Sequence, residues 1–396
     1  MVVGGGISGI TAAVEIAEAG REVILVEKEP YLGGNVTRFN NYFPKLCPPT
    51  CGLEINYRRI RSNPRISYLV GTEVMEIEGE HGDFMVKVIS GPAWINDRCT
   101  SCGKCAGVCP VPGPMGKAVY IPDGVVFPLK YTIDPDLCPG ESCGKCVRSC
   151  PHDAIHLDAN PFESVFRVHS IIIATGWHLY DASRIENYHY QTEPDVITNL
   201  EFEQLLYANR LQDKKLARPS DGKIPFRVAF VQCAGSRDVN HLPYCSAVCC
   251  SASVKHALTL AENYPEIKSE IFYIDLRLAG RNEDLLVKAE QNPSVVLTRG
   301  KVGRITHQDG DGGLILEVED MMAGIRRQDP FDLVVLAAGL VPNRIRPPLK
   351  TDEYGFYDGV QLPGIYPAAT CKRPMDVSSS VKDATAAALK ALKKVR

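Results

Sequence analysis

The sequence lacks any apolar run approaching the roughly 20 residues that cross a bilayer. Its longest candidates, Ile171–Thr175 and Leu333–Val341, are short and end at turn residues. That is the pattern of buried parallel strands. No leader with a basic start and an apolar core is visible, so export is not expected. Neither charge sign dominates: 44 Lys and Arg stand against 47 Asp and Glu, a net charge of −3. That balance removes the electrostatic reason for nucleic-acid binding. The basic run Lys390–Arg396 is short and reads as a solvated helix face. There is no low-complexity tract and no short-period repeat. With 45% hydrophobic and 23% charged residues over 396 positions, the chain has material for two or three cored domains.

Cysteine is what the sequence has in excess, with 15 in the chain. Disulfides would suit an exported chain, but these cysteines are clustered and no export signal is seen. Metal ligation in a cytoplasmic protein is the expectation.

The first motif opens the chain. Gly4, Gly6 and Gly9 fit G-x-G-x-x-G between an apolar strand and a helical pattern at Ile10, Ala13, Val14, Ile16 and Ala17. Gly20 stops the helix, Val23–Val26 gives the next strand, and Glu27 ends it. The first glycine permits the turn, the second lets backbone approach a pyrophosphate, and the third lets helix pack on strand. The helix N-terminus supplies free N–H groups, and Glu27 stands where an acid accepts from ribose hydroxyls. Only three residues precede Gly4, so the recorded start is expected to be incomplete. A glycine pair, Gly33-Gly34, follows the acid and resembles the FAD domain of two-dinucleotide-binding flavoproteins. Ile171-Ile-Ile-Ala174-Thr175-Gly176 and Leu333–Gly339 resemble the segments that return the chain to that domain. Gly364–Thr370, with a helix from about Ser378, resembles the segment closing over the flavin, although the family's Asp is replaced by Thr370 or Cys371. The FAD candidates are Gly4, Gly6, Ser8, Gly9, Glu27, Lys28, Gly33, Gly34, Asn35, Val74, Ala174, Thr175, Gly176, Ala369, Thr370, Val377 and Ser378.

The second motif is Cys99-x2-Cys102-x2-Cys105-x3-Cys109-Pro110, nearly repeated as Cys138-x4-Cys143-x2-Cys146-x3-Cys150-Pro151. Thiolates this close wrap three corners of a cubane, and in two-cluster ferredoxins the fourth crosses to the other cluster. One [4Fe–4S] cluster is therefore assigned Cys99, Cys102, Cys105 and Cys150. The other takes Cys138, Cys143, Cys146 and Cys109. A zinc ribbon wants two C-x2-C knuckles and fits poorly.

The third motif lies where a nicotinamide site is expected. The strand Arg227–Val231 feeds Gln232-Cys-Ala-Gly-Ser-Arg-Asp238, which is not G-x-G-x-x-G, and then Tyr244-Cys-Ser-Ala-Val-Cys-Cys-Ser251. Cys233, Cys245, Cys249 and Cys250 are either ligands of a third cluster or buried apolar thiols. Adjacent cysteines point apart on a helix, so Cys249 and Cys250 can ligate together only from irregular backbone. On either reading, no direct NAD(P)H site is expected.

Together these motifs resemble the A-type flavoprotein of heterodisulfide reductase. Asn41–Asn56, Arg218-Pro-Ser-Asp-Gly222 and Thr370-x-Lys-Arg-Pro374 are similar to the corresponding A-type flavoprotein of the quinone-interacting membrane-bound oxidoreductase (Qmo) complex. The resemblance implies an α/β fold. An FAD-binding Rossmann-like domain of the thioredoxin reductase type would carry an inserted α+β ferredoxin domain with two clusters. It implies a third [4Fe–4S] cluster on the Cys233 set. It also implies a cytoplasmic subunit, peripherally membrane-associated through its partners. Those partners would be a second flavoprotein of the same type, a membrane subunit handling quinone, and adenylylsulfate (APS) reductase. A homodimer is a further option.

The expected organisation is FAD domain over 1–92, ferredoxin insert over 93–158, and FAD domain with a linker at Leu211–Lys223 over 159–223. A degenerate second dinucleotide-like domain covers 224–330, and FAD domain resumes over 331–396. In the second domain, strands at Ile271–Asp275 and Val295–Thr298 flank a helix near Glu283–Gln291. Cys47 and Cys51 are either a catalytic redox pair or ligands beside the flavin, or two thiols in a rigid loop. Cys371, His152 and the other histidines lack partners in sequence. The functional readings are an electron-transfer subunit in sulfur metabolism and a stand-alone disulfide or small-molecule reductase using Cys47 and Cys51. A third, an NAD(P)H–ferredoxin oxidoreductase, is opposed by the missing second fingerprint.

Overall fold

The computed structural model describes residues 1–396 except 123, 213–214, 308–312 and 394–396. The end of the basic run Lys390–Arg396 and two residues of the Leu211–Lys223 stretch therefore lie outside the described residues.

Short β-branched runs become parallel strands because both of their faces are covered, in the first sheet by helices on one side and by an antiparallel sheet on the other. The first sheet has five, in the order Ile365–Pro367, Ile171–Ile173, Val2–Val3, Val23–Val26 and Ile66–Leu69, all parallel. The Ile7–Glu18 helix packs against it through Ile10, Ala13, Val14 and Ala17, joined by small residues of the C-terminal Val377–Leu392 helix. Three antiparallel strands, Thr72–Glu80, Asp83–Ser90 and Phe162–Val168, stand beside it.

Ser90 pairs directly with Phe162, so the cysteine-rich segment leaves and re-enters the fold at one point of a ladder. This explains how an insert of some 70 residues leaves the sheet intact. The insert is also fastened at a distance. The Tyr57 hydroxyl lies 3.0 Å from the Leu32 carbonyl and 2.8 Å from that of Val125. Leu32 and Phe127 exchange backbone bonds, and the Phe127 ring packs on Tyr57 and Tyr68 with centroids 5.5 and 5.3 Å apart.

The second sheet has seven strands, ordered Val196–Thr198, Leu333–Ala338, Arg227–Ala234, Lys268–Tyr273, Val295–His307, Leu314–Asp320 and Ile325–Phe331. This corrects the expected boundaries. Leu333–Ala338 does not return to the FAD domain; it is central here, parallel to Val196–Thr198 on one side and Arg227–Ala234 on the other. A fully buried strand looks alike in either sheet, so only its neighbours decide. The actual return is the pair Trp177–Leu179 with Leu340–Pro342, antiparallel between the sheets. The expected linker is also corrected. Leu216 has no exposure, and Arg218 pairs with Asp221 and Asp332 while Asp195 accepts from Ser220. One apolar anchor and one paired guanidinium hold a segment whose polar composition reads as loose. The helix expected near Glu283–Gln291 spans Glu283–Glu290, whereas the strand at Val295 runs on to His307.

If Phe127 fastens the insert, Phe127→Ala is expected to cost about 3 kcal/mol, as for other large-to-small aromatic changes. Urea denaturation checks the cost, and limited trypsinolysis should show the insert cut first.

Candidate functional site

A cavity of about 290 Å³ opens between the two sheets. Its floor is the glycine loop. A Cβ on Gly9 would lie 1.7 Å from the Gly4 carbonyl oxygen, so the helix touches the strand backbone to backbone. Gly34 has φ +64°, and a Cβ there would meet the Gly6 Cα at 2.8 Å. Gly6 caps the Ile7–Glu18 helix, and no side chain satisfies the first N–H groups. These groups are left for an anion. Glu27 closes this end, with its two carboxylate oxygens accepting from the Gly5 and Glu29 N–H groups. Burial pushes its pKa up, and those two bonds oppose the shift.

Of the candidates, Gly6, Ser8, Glu27, Lys28, Gly34, Asn35, Ala174, Thr175, Gly176, Thr370 and Val377 line the cavity. Gly4, Gly9, Gly33, Ala369 and Ser378 are not part of the lining, and Ser378 is exposed. Val74 is a correction: it lies in the core with Val26, Val86, Ile173 and Tyr357. At the closing segment, Ala369 takes φ +60° and its N–H donates to Asp383 at 2.7 Å. Lys372 holds the other Asp383 oxygen at 2.6 Å. Cys371 is fully buried with its S–H on the Ile173 and Ala368 carbonyls, which leaves Thr370 on the cavity side.

The far wall comes from two helices that flank the second sheet, Asn199–Gln212 and Cys249–Asn263, and was missed by sequence reasoning. Asn199, Glu203, Lys255 and His256 line it. Glu203 pairs with Lys255 and, at 2.8 Å, with the His256 ring; its other oxygen accepts from the Asn40 N–H at 2.9 Å. Lys255 also donates to the Asn41 carbonyl at 2.8 Å. Burial brings the Lys255 ammonium down to about 7 and keeps His256 neutral. The available signal was Lys255-His256 inside an apolar helical run, where polar residues need a reason. Asn199 Oδ1 and His256 Nδ1 are buried without hydrogen-bond partners among the described residues. A ring system edged with donors and acceptors fits such a wall.

The cysteines fall into three groups. Cys99, Cys102, Cys105 and Cys150 surround one small pocket, together with Tyr131 and His152. Cys109, Cys138, Cys143 and Cys146 surround another. The left-handed turns at Gly103 and Gly144 start the short helices that carry Cys105 and Cys146. Cys233, Cys245, Cys249 and Cys250 are all within electrostatic reach of one another. Irregular backbone at Cys233 and Ala247, with φ +58° and +60°, helps bring them together, whereas Cys249 and Cys250 are helical, the first two residues of Cys249–Asn263, with their sulfurs on the Ala338 and Asp275 carbonyls. Burial pushes the Cys249 thiol up, and iron would deprotonate it outright. Among the described residues, no three Cys, His, Asp or Glu side chains converge on a single metal ion. A cubane needs no such convergence, because each thiolate binds its own iron.

The third group adjoins the cavity, since Val248 and Ala252, on either side of Cys249 and Cys250, line it. Where a nucleotide ribose acid would stand, Asp275 is taken by the Arg237 and Arg277 guanidiniums. Cys47 lies in a loop and Cys51 in the first turn of the Thr50–Ser62 helix. Tyr42 lines the cavity, pairs with Cys47 through its backbone, and has both thiols near its hydroxyl.

Family comparison agrees with this geometry. Residues 1–54 match the FAD dependent oxidoreductase family, and residues 92–112 and 132–155 match 4Fe-4S binding domains. Thioredoxin reductase of T. acidophilum superposes with a TM-score of 0.54 at 16% identity, covering 98% of this chain and 96% of its own. The flavoprotein disulfide reductase RclA of Escherichia coli gives 0.53 at 13% identity, over 99% and 70%. The protein therefore has a thioredoxin reductase-like fold that combines an FAD-binding domain with two 4Fe-4S binding domains. The second of the iron-sulfur A-type subunits of CoB–CoM heterodisulfide reductase in Methanopyrus kandleri is 36% identical over 99% of the chain. The A-type subunit of the H(2):CoB-CoM heterodisulfide,ferredoxin reductase of Methanothermobacter thermautotrophicus is 33% identical, also over 99%. The chain spans 63% of the length of each. Across its own length, the chain is similar to the heterodisulfide reductase A-type flavoproteins.

Two outcomes follow. Gly34→Ala, strained at positive φ and crowding Gly6, should purify with little flavin, read from visible absorbance against protein. Lys255 has its ammonium lowered from 10.5 to about 7 in the fold. The unfolded chain then binds the extra proton between those values, so this group's contribution to stability rises with pH there. Lys255→Met should remove that rise from urea denaturation curves, taken as the difference from wild type so that the cysteines cancel.

Proposed function

We propose that the chain is the flavo-iron–sulfur subunit of a Qmo-type complex. It would pass electrons between a quinol-linked membrane protein of that complex and a cytoplasmic partner such as APS reductase, beside a second flavoprotein of its own type. One observation carries the reading: a flavin cavity adjoins a four-thiol set in the place a second nucleotide would need. We assign that set a third [4Fe–4S] cluster, and we assign the two ferredoxin clusters the cysteine rings described above. FAD supplies an electron pair that can be passed on singly, and clusters relay single electrons.

The chain's own residues divide the work. The glycine loop and helix N-terminus would hold the pyrophosphate and Glu27 the ribose, and Asn199, Lys255 and His256 would edge the flavin ring. The Glu203–Lys255 pair there can hold or release a proton near neutrality. Val248 and Leu340 exclude water between this end and the Cys233 set. No helix of the described residues is long and apolar enough to cross a membrane, so attachment to one would go through a partner. Tyr42, set between the cavity and both Cys47 and Cys51, favours a second reading, a dithiol that exchanges electrons with the flavin.

Chain purified without oxygen should hold one flavin and about 12 irons, from three four-iron clusters. Cys245→Ser should lower the count to about eight. NADH alone should leave the flavin oxidised. Immobilised APS reductase should retain the chain; absence of binding removes that partner and leaves the cluster assignment standing. Loss of all turnover in Cys47→Ser with clusters intact would favour the dithiol reading instead.

A further inference from the structure

The strand Leu340–Pro342 has two edges. One pairs with Trp177–Leu179, and the Tyr180 N–H donates to the Gly339 carbonyl at 2.8 Å. Among the described residues, the other edge meets no strand. The Leu340 N–H donates to the Ser246 hydroxyl at 2.8 Å, and the Tyr244 hydroxyl donates to the Leu340 carbonyl at 2.8 Å. Both polar groups of one peptide residue are thus satisfied by the two neighbours of Cys245. Leu340 is 3% exposed and forms part of the cavity wall.

The surroundings leave this contact no slack. Ser246 is 1% exposed and lies 3.4 Å from the Ser236 hydroxyl. A Cβ on Gly339 would meet Ser236 Oγ at 2.3 Å and Ser246 Oγ at 3.0 Å, so only glycine lets the strand come this close. The Cys249 S–H faces the carbonyl of Ala338, the last residue of the preceding strand, at 3.6 Å. The Tyr244 ring is wedged against Tyr354 and Phe356, each with centroids 5.2 Å away.

We infer that Tyr244 and Ser246 are positioning residues: they clamp the Cys245 loop to the flavin wall and so set the separation between flavin and third cluster. This rests on the third-cluster assignment above. Electrons would cross the gap one at a time. A four-iron cluster holds only one, so the first would have to pass on to another cluster or a partner acceptor before the second follows, the flavin's protons leaving to solvent. No bond between the two groups forms or breaks, so their separation and relative orientation govern the rate. A hydroxyl that accepts from a buried N–H is not replaced by a methyl group, whereas Thr preserves it.

The test uses the full chain, purified without oxygen, as wild type, Ser246→Ala, Tyr244→Phe, the double variant and Ser246→Thr. The flavin is reduced photochemically, and freeze-quench EPR follows the electron's arrival on the third cluster. Iron and flavin content are measured alongside. Ser246→Ala and Tyr244→Phe should each slow arrival several-fold with full iron and flavin. The double variant should slow it further, and Ser246→Thr should stay close to wild type. Loss of four irons in the double variant, with flavin retained, would also support the clamp. Unchanged arrival in the double variant with all iron present overturns it. A wild-type count near eight irons overturns the third cluster itself, and the clamp's role with it. If Ser246→Ala does not fold, Tyr244→Phe carries the comparison, because it removes one hydroxyl and keeps the ring.

Discussion

The structure depends on backbones meeting where side chains ordinarily keep them apart. At Gly9 a helix rests on the carbonyl of Gly4; at Gly34 one loop rests on another; at Gly339 a strand rests on two serines. Each contact removes a side chain's width from the space between elements. The first two shape a groove narrow enough for a pyrophosphate to reach backbone N–H groups. The third brings a cysteine loop against the same cavity from the other sheet. Hydrophobic burial in the two α/β cores supplies stability, but it would do so equally well with a different spacing. The glycines set the spacing.

Legibility in the sequence followed the range of the interaction. The glycine loop, its helix and the acid at Glu27 lie within 30 residues, and the spacing carried their geometry. The two ferredoxin rings were readable because their crossover repeats a spacing, and the pockets gather the same two sets of four. Leu333–Ala338 was misplaced because an all-apolar strand fits the centre of either sheet. The Glu203–Lys255–His256 wall was missed because its members are some 50 residues apart and meet only through tertiary packing. Leu216 and Arg218 hold a polar stretch in place by a few buried contacts, which composition cannot register. Val74 was assigned to the cofactor from position in the chain, and its burial with Val26 and Ile173 puts it beneath the site.

The cavity has two unlike ends. The glycine end is polar, backbone-built and next to the insert, through Leu32 and Gly33. The far end is walled by side chains and adjoins the Cys233 set. On the proposed reading, the redox-active ring would lie at the far end beside the Cys233 set, and the end next to the insert would hold only the redox-inactive pyrophosphate and ribose.

The fastening of the insert has a thermodynamic meaning. Tyr57, Leu32 and Val125 tie the insert to the turn that carries Gly33 and Gly34, and that turn is half of the dinucleotide groove. Ligand that orders the groove also orders the anchor, so FAD occupancy and insert docking are linked functions of one equilibrium. By mass action, flavin at a hundredfold excess over its dissociation constant adds about 2.7 kcal/mol to whatever it binds. Part of that free energy would then reach the iron–sulfur module, none of whose residues lines the cavity. The coupling is reciprocal, so clusters that stiffen the insert would in turn favour flavin binding.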